Sequence, residues 1–418
     1  MPAAGEGRPA ATTDALADWL ASARTVVCLG PGGVGKTTTA AALAIAAACR
    51  GRRVAVLTVD PAARLKDALE LPERPGELHR VPLPAGGHGS LDAVLLDAKG
   101  LFDELVRRLA PTEALADRIL RNPVYRNVAG AFAGSDAYMA LEQVLDLSAS
   151  TDHDLIVVDT PPASHALELF DAPERILALL SSKALEYLEE PTRILGVATS
   201  RLARTLLGGV LRALERITGL TLLQDVSALA SDFGIVSPRF RERAQEIRSL
   251  LRAPDTHYVL VATPEPHGAD DVVAFAGELA RIGLRCDAVI VNRVLAIDEA
   301  PEPSEALRAT EDARDAGQHA AAGAHATGAR PAVAWTPALS RHLVDCARDL
   351  KLLADSQRRV SARLRAGLDA LDAKGGARRA RLWLELPALS PAPVSLAGIT
   401  ALAGALAAAA PAPRISAA

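Results

Sequence analysis

Gly30-Pro31-Gly32-Gly33-Val34-Gly35-Lys36-Thr37-Thr38 is the stretch on which the reading of this chain turns. It fits G-x-x-x-x-G-K-[ST], in which glycines let backbone N–H groups crowd around phosphate, a lysine neutralises charge and a hydroxyl holds Mg²⁺. An apolar run, Thr25 to Leu29, precedes it and a strongly helical one, Thr37 to Cys49, follows. Strand, loop and helix in that order bring the positive end of the helix to the phosphates. The pattern assigns Gly30, Gly32, Gly33, Val34, Gly35, Lys36, Thr37 and Thr38 to a nucleotide such as ATP, with Thr37 on the metal.

On either side of the loop, short apolar runs alternate with helical segments. Val54 to Val59, Leu91 to Leu96, Leu155 to Val158, Tyr258 to Ala262, Ala288 to Val291 and Ala332 to Trp335 read as strands apolar on both faces. Such strands imply an α/β fold: a parallel P-loop sheet covered by helices on both faces, with ligands at the carboxyl ends of the strands. Two helical stretches, about 99–147 and 166–252, exceed what simple crossovers need and predict an inserted layer above the nucleotide site. The division expected is a flexible segment 1–22, an ATPase domain 23–372 and an appendage 373–418, with 299–330 a mobile loop or weak helix.

Composition narrows the function. The chain has 418 residues, 50% hydrophobic content and a net charge of -4, ample for a buried core and without a global pull toward nucleic acid or anionic lipid. Cys28, Cys49, Cys286 and Cys346 lie far apart, with no C-x-x-C spacing of a zinc site. Met1 to Asp14 carries no basic start followed by an apolar stretch, and the run Ala397 to Ala410 is shorter than the ~20 residues of a membrane span. A cytoplasmic location is expected.

Two aspartates close predicted strands. Asp60, in Asp60-Pro61-Ala62-Ala63-Arg64-Leu65, can orient or deprotonate an attacking water, or simply cap the next helix; the neighbouring phosphate loop favours the catalytic role. Asp159 ends Leu155-Ile156-Val157-Val158 and precedes Thr160-Pro161-Pro162, the arrangement by which a carboxylate is set near Mg²⁺ and a turn near the γ-phosphate. Asn292, at another strand end, can read the edge of a base or serve as a buried turn amide.

These motifs, with Leu91-Asp92-Ala93, Leu96-Asp97-Ala98-Lys99, Asn122-Pro123-Val124-Tyr125-Arg126, Ala133-Gly134-Ser135, Thr263-Pro264-Glu265 and Val291-Asn292-Arg293, carry a resemblance. From about Arg24 to about Leu353 the chain resembles the arsenite-pump and tail-anchored-protein-targeting ATPase family, a branch of the dimerising P-loop proteins. The resemblance implies that Lys36, Thr37 and Thr38 bind phosphates and Mg²⁺, with Lys36 and Asp60 the catalytic pair and Asp60 positioning the hydrolytic water. It further implies that Asp159 opens the second switch, that Asn292 contacts adenine, and that Glu265 lies near nucleotide at the dimer interface.

The chain also departs from that family. Its signature lysine, which reaches across a dimer to the partner's phosphates, is replaced by Pro31. Ala63 and Arg64 stand where the first switch usually has His-Asn, and Ala163-Ser164-His165-Ala166 where the second has Thr-Gly-His-Thr. The cysteine cluster of arsenite pumps and the methionine-rich groove and zinc site of targeting ATPases are missing from the sequence. An apolar face, Leu206-Leu207, Val210-Leu211, Leu214 and Ile217, lines a groove or packs on neighbouring helices. The expectation is an ATP- and Mg²⁺-dependent ATPase acting as a homodimer, or as a heterodimer with a lysine-bearing paralogue, on a protein client or membrane partner. A low-activity regulatory or scaffold subunit is the alternative, and a metalloid-efflux ATPase a weaker one.

Overall fold

Five consecutive buried residues, Thr25–Leu29, form β1 of a sheet whose other strands are β2 (Arg53–Thr58), β3 (Leu78–Val81), β4 (Ser90–Leu95), β5 (Leu155–Asp159), β6 (Thr256–Ala262), β7 (Ala288–Val294) and β8 (Leu382–Pro387). The eight strands lie in the order β3-β4-β2-β5-β1-β6-β7-β8, all neighbours parallel except β3 with β4. The computed structural model describes residues 15–59, 64–72, 74–128, 136–180, 201–295, 337–374, 381–390 and 392–409. The strand expected at Ala332 to Trp335, the loop 299–330, Ala133-Gly134-Ser135 and Asp60 fall outside them.

Successive residues of the central strands serve opposite cores, as the pleat requires. Val27, Leu29, Leu57, Val158 and Leu260 enter one core, and Val26, Cys28, Val56, Val157 and Val259 the other. The second core is closed by helices α1 (Ala15–Ser22), α2 (Lys36–Cys49) and α3 (Arg64–Leu69). The first is closed by α4 (Ala98–Leu109), α5 (Glu113–Arg121), α6 (Pro123–Val128), α7 (Asp136–Ala149), α8 (Ala163–Leu180), α9 (Arg201–Leu251), α10 (Pro266–Arg281) and α11 (Pro337–Lys374). A last helix, α12 (Leu396–Ala408), packs on α2 with Ile399, Leu402, Ala403 and Leu406 buried, an i, i+3, i+4, i+7 stripe. No helix among the described residues is long and apolar enough to cross a membrane.

The alternating strands and two-sided helical cover agree with the sequence expectation, and three features refine it. The described parts of both helical stretches share a core with the strands and so cover one sheet face, where a layer above the nucleotide site was expected. Beyond residue 373 the chain forms β8 and α12, part of the main body. Residues 15–22, expected to be flexible, are helical with Leu16 and Leu20 buried. Local chemistry explains several ends: Asp97, Thr112 and Ser395 accept from the amides of Gly100, Leu115 and Gly398. Within α9, Pro238 has no N–H for the Gly234 carbonyl, which instead accepts from the Ser237 hydroxyl at 3.1 Å.

A buried ionic cluster ties α7 to α9. Glu142, 2% exposed, accepts from Arg243 at 2.6 Å and from the Tyr138 hydroxyl at 2.8 Å, while Asp146 pairs with both Arg243 and Arg108. Burial pushes the Glu142 carboxyl above its ordinary value against the pull of Arg243. Arg243→Met is expected to destabilise by about 3 kcal/mol in urea unfolding at neutral to alkaline pH, because it strands a buried charge. A carboxyl raised further in the folded state binds its proton there first, so the deficit shrinks as pH falls through the carboxylate range. A deficit independent of pH would place the loss in packing instead.

Candidate nucleotide site

The loop between β1 and α2 is shaped by what a Cβ would strike. At Gly30, φ 151°, a Cβ would lie 2.3 Å from the Val261 carbonyl oxygen of the neighbouring strand. At Gly35, φ 93°, it would lie 2.4 Å from Nδ2 of Asn292. Gly35 is also the residue before α2, in the left-handed region and without a side-chain cap, so it leaves the first amides of the helix to another acceptor. The first turn of α2 holds no acidic residue to oppose an anion.

Lys36 is only 7% exposed, and its Nζ donates to the Pro31 carbonyl at 2.8 Å, folding back along the loop. Thr37 and Thr38 follow, half-buried, while Thr39 is buried. On one side of the loop, β5 ends in Asp159, fully buried and paired in register with Cys28 of β1 and Thr58 of β2. Thr58 donates to its Oδ2 at 3.1 Å, and the Thr160 hydroxyl donates to the Cys28 carbonyl at 2.7 Å. Burial pushes the Cys28 thiol far up, Asp159 adding and Lys36 opposing, so this cysteine stays a neutral core residue. On the other side, the Asn292 amide donates to the Val34 carbonyl at 3.0 Å and its oxygen accepts from the Arg293 amide at 2.9 Å.

Beside the loop lies a cleft of about 470 Å³, lined by Gly33, Gly35, Lys36, Thr37 and Thr38 of the loop itself. Arg64, Asp67 and Thr160 line it as well, as do Arg293, Pro393 and Val394. The strand order fixes its polarity. Asp159 and the start of α3 stand on the β5 and β2 side of the loop, and Arg293 with the turn before α12 on the β7 and β8 side. Glu265 is exposed at the head of α10, and like Asp159 and Asn292 it is not among the lining residues.

The sequence expectation named the loop, Asp159 and Asn292 and gave no role to Arg293, Pro393 or Val394; in the structure Asp159 and Asn292 flank the loop without lining the cleft. The signal available was small: an Asn-Arg pair at a strand end, and the sequence Pro-Ala-Pro-Val directly before a capping serine.

A phosphate loop on the central strand of a parallel sheet, with a buried carboxylate on the adjacent strand end, defines a P-loop nucleotide-binding protein. The chain belongs to the anion-transporting ATPase family, whose pattern matches residues 23–316. It is 33% identical over 276 residues to the Streptomyces coelicolor protein SCO2128, covering 66% of this chain and 63% of that one. It is 30% identical over 288 residues to Rv2184c of Mycobacterium tuberculosis, covering 67% of this chain and 61% of that protein. The Arabidopsis thaliana ATPase GET3A is 26% identical over 302 residues, 72% of this chain and 75% of its own. The match thus spans somewhat less than two thirds of the length of the two bacterial relatives.

Proposed function

We propose that this chain binds ATP at the Gly30–Thr38 loop and hydrolyses it as a dimer that couples nucleotide state to a protein client or membrane partner. The observation that carries the reading is the loop itself: an uncapped helix start behind a left-handed glycine, with a buried lysine folded along it. Lys36 would exchange the Pro31 carbonyl for phosphate oxygens, and Thr38 would add a hydroxyl. The Thr37 hydroxyl and Asp159 carboxylate, hard oxygen donors, suit Mg²⁺, which when bound neutralises charge on the phosphate oxygens. Asp60 would orient the attacking water. Asn292 keeps one amide hydrogen for the base, and Glu265, exposed on α10, is accessible to a partner subunit.

Pro31 supports a shared arrangement. It offers the loop only a carbonyl oxygen, where the resembled family has a lysine that serves the opposite subunit. A lysine-bearing paralogue would complete this chain's site, while its own site would receive no lysine in return. The isolated chain is therefore expected to turn over ATP slowly, and mixing with such a paralogue to raise the rate by about tenfold or more. Asp60→Asn in this chain should remove that gain, as followed by phosphate release. Full activity of the isolated chain would overturn the shared arrangement, and a rate indifferent to Asp60→Asn would favour a scaffold subunit that hydrolyses little.

A further inference from the structure

Two consecutive residues of β7 both turn to the phosphate loop, Asn292 bonding its backbone at Val34 and Arg293 lining the cleft beside it, which a regular strand does not allow. Alternation sends neighbours to opposite faces. Here Val291 pairs with Glu385 and Val294 with Pro387, so β7 takes three steps where β8 takes two. That bulge is completed by Arg293 at φ 62°, in the left-handed region that residues with a Cβ rarely adopt. Bulges and such backbone outliers concentrate where a side chain has to be re-aimed.

The surroundings hold the bulge in place. Its Arg293 amide is bonded to the side chain of Asn292, and Gln357 of α11 accepts from the Leu295 amide at 2.8 Å and reaches the Arg293 carbonyl at 3.5 Å. The result is that Asn292 braces the phosphate loop while Arg293 lines the cleft. Arg293 is an exposed residue. Across this end of the cleft stand Pro393, half-buried, and Val394, which is 75% exposed and so an apolar surface without cover.

We propose that Arg293 is the residue that holds the nucleotide base, its planar guanidinium stacking on the heteroaromatic ring against the Pro393–Val394 turn. This rests on the nucleotide reading above. A guanidinium is suited to the face of a base, which any purine presents, and an aliphatic turn to the opposite face. Arg293 stands on the β7 side of the loop and Asp159 on the β5 side, with β1 and β6 between them, so its contribution is assigned to binding.

The backbone supplies a clean test. Arg293→Gly deletes the side chain at a position whose φ suits glycine, so the melting temperature should stay the same or rise. Calorimetric titration of the full chain with Mg²⁺ should show about tenfold weaker binding of ATP and ADP and unchanged binding of inorganic tripolyphosphate. Arg293→Lys should recover little, because an ammonium has no plane to stack. Unchanged ATP affinity in a folded Arg293→Gly protein would overturn the assignment. So would an equal loss for tripolyphosphate, which would make Arg293 a phosphate contact. Lys36→Ala serves as the separate control: if it weakens none of the three ligands, the nucleotide reading fails as a whole, independently of Arg293.

Discussion

Lys36→Ala is expected to lower ATP turnover at least about a hundredfold and to weaken ATP binding, the largest functional effect of any single change in the chain. Two properties of the site produce that magnitude. Lys36 as a residue is only 7% exposed, so its charge acts on phosphate with less screening by water than a surface lysine's. It is also pre-positioned, because its bond to the Pro31 carbonyl already lays it along the loop that phosphate would occupy. Removing a single pre-organised donor of this kind lowers rates by roughly 10²–10³ in other sites. Circular dichroism and a thermal melt would separate this loss from unfolding. Turnover retained within a factor of a few would mean that hydrolysis, if present, takes place elsewhere.

Gly30→Ala is expected to give the largest loss of stability, about 4 kcal/mol, from two additive sources. The first is backbone conformation, since φ 151° is one that residues with a side chain rarely adopt. The second is collision: the new methyl would lie 2.3 Å from the Val261 carbonyl oxygen. That oxygen belongs to β6, hydrogen-bonded to β1 through Thr25 to Leu29, and cannot withdraw without opening the centre of the sheet. Gly35→Ala collides instead with the side-chain amide of Asn292. That group can rotate, so Gly35→Ala should affect nucleotide binding more than stability. Urea unfolding of the two variants side by side checks the contrast, and equal stability losses would contradict it.

How much could be read beforehand varied with how local the determinant was. The central strands were legible because each is apolar on both faces, a pattern produced by burial between two helical layers. β3 was not: of Leu78, His79, Arg80 and Val81 only Val81 is buried, because they form an antiparallel edge, and an edge needs no apolar run. β8 was hidden by its setting, since Leu382-Trp383-Leu384-Glu385-Leu386 lies between an Arg/Gly stretch and an Ala/Pro stretch. The position of the helical stretches was likewise not a sequence property. Their periodicity indicates helices with one apolar face, but the surface that face meets depends on which strands stand exposed beneath it.

The same division applies to the site. The amino-acid sequence by itself determined that a phosphate loop sits between a buried strand and a helix, that another apolar run ends in Asp159, and that Pro31 brings no second cation. Each of these depends on residues within a few positions of one another, where backbone sterics and residue type are sufficient. Tertiary structure alone decided that Asn292 braces Val34 and that Arg293, Pro393 and Val394 face the phosphate loop. Those facts depend on a bulge against β8, on a glutamine from α11 and on the order of strands across the sheet. None of these has a local signature, because the partners that impose them lie far away along the chain.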